Sequence, residues 1–358
     1  MGRMSSPAPT APRPGWRSGG VAAALAAALL FGAGTPLAKA LLDGIGPWML
    51  AGLLSLGSGL GLALWRALRR APPVRLAPGE WPWLAGAVLA GGVVGPVLLM
   101  LGLSRMPASG ASLLLNAEAV FTAVLAWVVF RENVDRRILL GMALIVAGAA
   151  WLSWPGEADF GALWPALAVL GACLAWGIDN NLTRRVALAD AGWIAMVKGL
   201  VAGSANFALA LAAGAALPAW PLAGAAALLG LAAYGVSLVL FVVGLRHLGT
   251  ARTGAYFSVA PFFGALVAVA GLGEPVDLRL LGAGALMAVG VWLHLTERHD
   301  HLHTHEPIEH SHVHVHDEHH QHHHPPVPPG TRHSHRHRHA PITHAHPHFP
   351  DAHHRHRH

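Results

Sequence analysis

Charge is scarce in this sequence. Only 12% of its 358 residues are Asp, Glu, Lys or Arg, against about a quarter in soluble domains, so there is no charged surface for a globular core to sit under. Cysteine is nearly missing too. The single Cys173 excludes an internal disulfide framework, and it lies in an apolar run where a thiol acts as a small hydrophobe. The chain shows no phosphate-binding glycine loop, no nucleophile triad and no paired catalytic carboxylates on a soluble domain. An enzyme is therefore the least supported class, and ATP hydrolysis on this chain is not expected to drive any transport. Nucleic acid is not an expected partner.

What is present is apolar. Hydrophobic residues make up 54% of the chain and mean hydropathy is +0.46. They fall in runs of about 20 residues, the length that crosses a ~30 Å hydrocarbon core as a helix. Ten such runs can be read: 21–42, 47–65, 83–103, 108–130, 137–154, 163–183, 191–212, 222–245, 253–272 and 278–295. The segment 102–148 recurs, shifted by 142 positions, as 244–290. Phe121 and Ala123 meet Phe263 and Ala265; RENVD at 131–135 meets GEPVD at 273–277, so Glu132 pairs with Glu274 and Asp135 with Asp277; Gly148 meets Gly290. A duplicated membrane unit with an odd number of spans must be inverted relative to its mate, and solute sites in such proteins lie between the halves. The arginines agree. With the N-terminus inside, Arg66, Arg69, Arg70, Arg75, Arg131, Arg136, Arg137, Arg184, Arg185, Arg246 and Arg252 fall on one side, and only Arg105, Arg279 and Lys39 on the other. The positive-inside rule then predicts both termini in the cytoplasm, with Glu132 facing inward, Glu274 outward, and Lys39 snorkelling at its helix end.

The arginine-flanked first run could be taken for a cleaved signal peptide. Against that, LLFGAGTPLAK at 29–39 resembles CLAWGIDNNLTR at 173–184, so the first run reads as the retained counterpart of the sixth. Ten spans in two five-helix repeats, NAEAVFTAVLAWVVFRE at 116–132 and SVAPFFGALVAVAGLGE at 258–274 together resemble the EamA family of the drug/metabolite transporter superfamily over residues 21–296. The resemblance implies an inner-membrane carrier of small metabolites, often outward, with the glutamate matching Glu118 in a central cavity. One departure is that Phe31-Gly32 stands where the usual Trp-Gly occurs; the second repeat keeps Trp176-Gly177.

Charges inside spans cost several kcal/mol unless paired, solvated or functional, which makes Glu118, Asp179 and Lys198 the candidate pathway residues, with Asn116, Asn180 and Asn181 beside them. Glu118 is read as a proton or cation acceptor, against the alternative of a protonated helix–helix hydrogen bond. Asp179, Asn180 and Asn181 are consecutive, and at ~100° per residue at most two face one cavity. Lys198 sits too far from its helix start to snorkel easily, so pairing with Asp179 or Glu118 is expected. Trp48, Trp81, Trp83, Trp151, Trp154 and Trp220 read as interfacial anchors, and Pro96, Pro165 and Pro261 as kink points.

After the last span the composition changes abruptly: 24 of the 26 histidines lie in the final 60 residues. The runs include His301, His303 and His305; His310, His312, His314 and His316; and His319, His320, His322, His323 and His324. Imidazoles in this density are ligands for zinc, nickel, cobalt or copper, with Glu306, Asp317 and Glu318 as further donors. The sequence thus divides into a disordered leader (1–20), a first five-helix repeat (21–154), a second (155–297) and a disordered His-rich metal-binding tail (298–358). The expected protein is an all-α polytopic membrane protein of ten helices and a secondary exporter of small solutes. It needs no cofactor for transport, and homodimer formation is left open. Two alternatives stand beside this: a divalent metal efflux transporter, and a membrane-anchored metal buffer.

Overall fold

The computed structural model of the protein describes residues 19–74, 76–130, 136–154, 160–186, 189–248 and 256–295, with 300–304, 309–314, 333–338 and 343–347 in the tail. The leader, the loop bearing Glu132 and Asp135, Arg75, and the tail residues His305, His316, His319, His320 and His322 to His324 lie outside the described residues.

Small residues decide how the first helix packs. In α1 (Gly19–Leu41), Ala23, Ala24, Ala27, Ala28, Gly32 and Gly34 are buried, while Leu25, Leu29 and Leu37 are exposed. A stripe of small side chains lets backbones approach closely, the usual basis of helix association where lipid supplies no hydrophobic contrast. Following it are α2 (Pro47–Leu68), α3 (Trp81–Ala87), α4 (Gly95–Leu103), α5 (Ala108–Leu114), α6 (Ala117–Phe130), α7 (Arg136–Ser153), α8 (Phe160–Thr183), α9 (Ala191–Ala212), α10 (Trp220–Gly230), α11 (Ser237–Leu248), α12 (Ala260–Leu272) and α13 (Leu278–Leu295). Among the described residues, seven helical runs are long and apolar enough to cross a membrane. Three shorter apolar helices, Leu139–Ser153, Ala260–Leu272 and Leu278–Leu293, fall where the fifth, ninth and tenth runs are expected. All six tryptophans read as interfacial anchors are exposed.

Contacts between the repeats have two-fold character. Gly148 of α7 sits where a Cβ would lie 3.0 Å from the Ala283 carbonyl oxygen of α13, and its mate Gly290 where one would lie 2.7 Å from the Gly141 carbonyl oxygen. Gly141 and Ala283 are themselves mates. A contact in which i meets j while the mate of j meets the mate of i is what a two-fold axis produces. Because 148 lies beside 283 and 141 beside 290, α7 and α13 run antiparallel. The same holds for α2 and α9, where Gly52 abuts Phe207 and Gly59 abuts Leu200. Mates running antiparallel are inverted repeats. The first helix of each half crosses differently: α1 packs on α11 and α12 of the second repeat, and α8 on α4 and α6 of the first.

Two features of the spans were not expected. In the third, a π-helical segment, Val88–Val94, separates α3 from α4; in the eighth, another, Leu231–Val236, separates α10 from α11. At the repeat offset these occupy matching positions. A π turn leaves carbonyls spare, and neighbours take them up: Trp176 Nε1 donates to the Gly91 oxygen at 2.9 Å, and Asn206 Nδ2 to those of Gly92 and Val93 at 3.2 and 3.4 Å. Pro96 lies just after the first π segment. Pro261 opens α12, and Pro165 lies within α8. The fourth span also breaks, between α5 and α6 at Leu115–Asn116.

Lys39 corrects an expectation. Instead of snorkelling away, its Nζ donates to the Leu103 carbonyl at 2.7 Å, where the last turn of α4 has oxygens without helical partners. In the described parts of the tail, β1 (Asp300–Thr304) pairs antiparallel with β4 (Thr343–Pro347), and β2 (Glu309–His314) with β3 (His333–Arg338). Alternation of His with other residues is a period-two pattern, and strands have that period.

Candidate substrate site

The polar residues of α8 project from a helix that needs none of them for its own ladder. Each of the three is used differently. Asp179 is buried and receives both Lys198 Nζ bonds, 2.6 Å to Oδ1 and 2.5 Å to Oδ2; Thr183 Oγ1 donates to the same carboxylate at 2.8 Å. The ion pair has side-chain exposures of only 21% and 8%, so these two charges are satisfied by each other. Asn180 is exposed and donates from Nδ2 to Glu118 Oε1 at 2.9 Å and to Thr122 Oγ1 at 3.2 Å. Asn181 turns to backbone, donating to the Gly177 and Thr122 oxygens at 2.8 and 3.2 Å. It ties α8 to α6. Thus Glu118, Asn180, Asp179 and Lys198 converge on one crossing. Asn116 does not join them: it is buried, with Nδ2 2.9 Å from the Leu113 oxygen and 3.9 Å from Met287 Sδ. There it reinforces the turn between α5 and α6, since its own backbone N–H donates to the same carbonyl at 3.1 Å.

Close backbone approach builds this crossing. Gly177 sits where a Cβ would lie 2.9 Å from Phe121 Cβ, and Gly91 where one would overlap the Asp179 carboxylate. Only a glycine at 91 leaves room for the ion pair. The repeat mate of this crossing lies in the other half. Gly32 abuts Ala260 and Gly264, mates of Glu118 and Thr122; Gly34 abuts Ala233, the mate of Gly91. Here the charged positions are replaced by small or apolar ones, and aromatics gather instead. Phe31 meets Tyr234 edge-on at 5.9 Å and Phe257 at 5.4 Å, and Phe241 meets Phe257 at 4.9 Å. One fold position therefore appears twice, once charged and once aromatic.

Four contacts tie the ends of the helices. Glu274 accepts from the backbone N–H of Ala108 at 2.6 Å and of Ser109 at 2.8 Å, holding the second repeat against the start of α5. Gly273 before it has φ +68°, the left-handed region that glycine enters without strain. Arg279 donates to the Trp154 oxygen at 2.9 Å, and Arg66 pairs with Asp190 at 2.7 Å. With Lys39–Leu103, each joins span ends that an alternating path places on one face. Sequence reasoning missed Thr122, Thr183, Asn206 and the Glu274 contact; for Glu274 the identical mate Glu132 was the available signal. Cys173 is buried, its Sγ 3.6 Å from the Leu114 oxygen.

An all-helical membrane bundle of two inverted repeats, with a carboxylate and an ion pair where they cross, defines a multi-pass membrane transport protein. The chain belongs to the EamA-like transporter family, whose profile matches residues 18–154 and 163–296. It is similar to an uncharacterized transporter of Methanothermobacter thermautotrophicus, 32% identical over 212 residues, covering 56% of this chain and 60% of the relative. The match thus spans less than two thirds of that relative's length. Shorter matches are to probable 4-amino-4-deoxy-L-arabinose-phosphoundecaprenol flippase subunits ArnE. That of Pseudomonas fluorescens is 36% identical over 89 residues (25% of this chain, 75% of the relative) and that of Pseudomonas paraeruginosa 40% over 88 residues (25% and 67%). A solved crystal structure aligns with a TM-score of 0.59 at 17% identity, covering 78% of this chain and 96% of the other. At that identity it speaks for the fold alone.

Proposed function

We propose that this protein is a secondary exporter of small organic solutes in a bacterial-type inner membrane, with ten spans, both termini in the cytoplasm, and a cytoplasmic tail that binds divalent transition metal. One observation carries the transport reading. Asp179 is neutralised by Lys198, whereas Glu118 beside them receives only the neutral amide of Asn180 among the described residues. The crossing therefore holds one carboxylate in excess, which a proton or a cationic solute group neutralises. The aromatic cluster at the mate position offers faces for an apolar body, and ring faces also attract cations. A solute carrying a basic group on an apolar frame satisfies both.

Metal as cargo is the weaker reading, because the pathway offers one free carboxylate and amides rather than the His and Cys that borderline cations select. Buffering alone requires an anchor, not two inverted repeats. The test is uptake into everted vesicles across a panel of amine-bearing and neutral solutes. Glu118→Gln keeps shape and hydrogen bonding but removes the charge, so transport of the amines is expected to fall by about tenfold or more, the scale of a lost charge-assisted contact, with unchanged protein level. Undiminished amine transport by the variant overturns the role assigned to Glu118.

A further inference from the structure

α2 ends in an unusual way. The Ala71 N–H bonds to the Arg66 oxygen and the Arg70 N–H to the Ala67 oxygen, the crossed pair that closes a helix through a left-handed residue, where glycine is usual. Arg70 stands there instead, at φ +47°, the one residue other than glycine at positive φ among the described residues. L side chains enter that region only with strain. The turn thus keeps a cation at a position that glycine would hold more easily.

Three other segments meet at this point. Arg66 Nη1 donates to Asp190 Oδ1 at 2.7 Å and Nη2 to the Pro72 oxygen at 3.0 Å, fastening the end of α2 to the start of α9. Trp193 of α9 meets Trp81 of α3 edge-on at 6.4 Å. Further along α3, the Trp83 ring carries the Arg185 guanidinium at 5.3 Å, and Arg69 lies over Trp65 in the same way at 4.4 Å. Arg66, Arg69, Arg70 and Arg185 face two carboxylates in this corner, and both are engaged: Asp190 by Arg66 and the Trp193 N–H, Glu80 by the Ala77 N–H. The corner is therefore net positive, and Arg69, Arg70 and Arg185 are exposed. A guanidinium stacked by its face on an indole is held in place, and its edge has the geometry to receive two oxygens of a phosphate.

The approach to the corner is apolar. Leu60, Leu64 and Leu68 of α2 are exposed at 59%, 62% and 74%. Their four-residue spacing puts them in one row, which ends just before Arg69. Trp65, Trp81 and Trp83 are exposed too, and indoles favour the interfacial layer of a bilayer. Positive charge, interfacial rings and an apolar row match a molecule with an anionic head and hydrocarbon tails; a soluble anion has no use for the row. We propose that this corner is a binding site for an anionic phospholipid. Arg69, Arg70 and Arg185 hold its phosphate, and one acyl chain lies along Leu68, Leu64 and Leu60. The site holds whatever solute the carrier moves.

The experiment titrates the full-length protein in neutral detergent with dioleoylphosphatidylglycerol or dioleoylphosphatidylcholine, and bound lipid is counted by native mass spectrometry. One variant replaces Arg69, Arg70 and Arg185 by Gln. A control replaces Arg105, Arg136 and Arg137 by Gln, removing the same charge elsewhere. The tail arginines are the same in all three proteins, so their contribution cancels. The unsubstituted protein and the control are expected to prefer phosphatidylglycerol equally. The corner variant is expected to bind its tightest phosphatidylglycerol about tenfold or more weakly, the scale of several arginines lost from a membrane surface, with the unfolding midpoint of the control. If the Gln variant is unstable, Lys at the same three positions keeps the charge without the flat fork and is expected to weaken the lipid several-fold. Equal binding of both lipids by the unsubstituted protein, equal losses in the two Gln variants, or undiminished affinity in the corner variants overturns the site. Displacement of the lipid by millimolar inorganic phosphate overturns it as well, since the ligand is then a soluble anion.

Discussion

At the scale of single residues, the buried ion pair is the most exposed point of the design. Removing one partner of a buried pair leaves the other charged and unsatisfied, at a cost of about 3–5 kcal/mol. Lys198→Met is therefore expected to lower the unfolding midpoint in detergent clearly, and adding Asp179→Asn to recover much of the loss; a double variant as unstable as the single one contradicts the pairing. The three charges involved were legible as isolated charges in apolar runs, and their expense in lipid said they needed partners. Which partner each takes was not legible. Gly91 carries no signal of its own, yet the ion pair fits only because a residue without a Cβ stands there. Asn116 shows the converse: a polar residue beside Glu118 in sequence, turned to a broken helix turn.

Helices and strands were legible in unequal measure. Apolar runs of span length located the helices because lipid requires backbone polar groups to be satisfied within each segment. The interruptions were not visible, since a π turn changes hydrogen bonding without changing composition. Their position emerges from what receives the spare carbonyls. Asn206 is the clearest case, a buried amide in α9 aimed at Gly92 and Val93 of the first π segment. Asn206→Leu leaves those oxygens buried without their donor, and such losses cost about 1–3 kcal/mol. The expected outcome is a destabilised protein whose α9 and third span loosen together, seen as faster amide exchange in Gly91 to Val94 with the α7–α13 pair unaffected. Uniform loosening of both regions contradicts the assignment. In the tail, the His-x-His period was visible but its pairing was not, because register is a relation between distant segments and a polar strand has no apolar face to declare it.

For the molecule as a whole, inversion followed from counting: a duplicated unit with an odd number of spans reverses. The reciprocal contacts of Gly148 on Ala283 and of Gly290 on Gly141 express that reversal as an isologous contact between α7 and α13. A carrier built this way works by rocking one repeat against the other, so contacts joining the repeats at one face must break in each cycle. Glu274 makes such a contact. It lies in the second repeat, and its carboxylate receives two backbone N–H groups at the start of α5 in the first. Bonds of this kind, with a charged acceptor, are roughly twice as strong as neutral ones. Glu274→Gln keeps the size of the side chain but offers one neutral oxygen in place of two charged ones, which biases the bundle toward opening at that end. With Cys173→Ser as background, a cysteine at Ser109 is expected to react several-fold faster with a membrane-impermeant thiol reagent applied from the side that the proposed topology makes external when Glu274→Gln is present. On the proposed transport cycle the bond forms in only one of two states, so transport should change in rate while the unfolding midpoint moves little. A labelling rate unaltered by Glu274→Gln assigns the contact to static packing, and the moving seam between the repeats must then lie elsewhere.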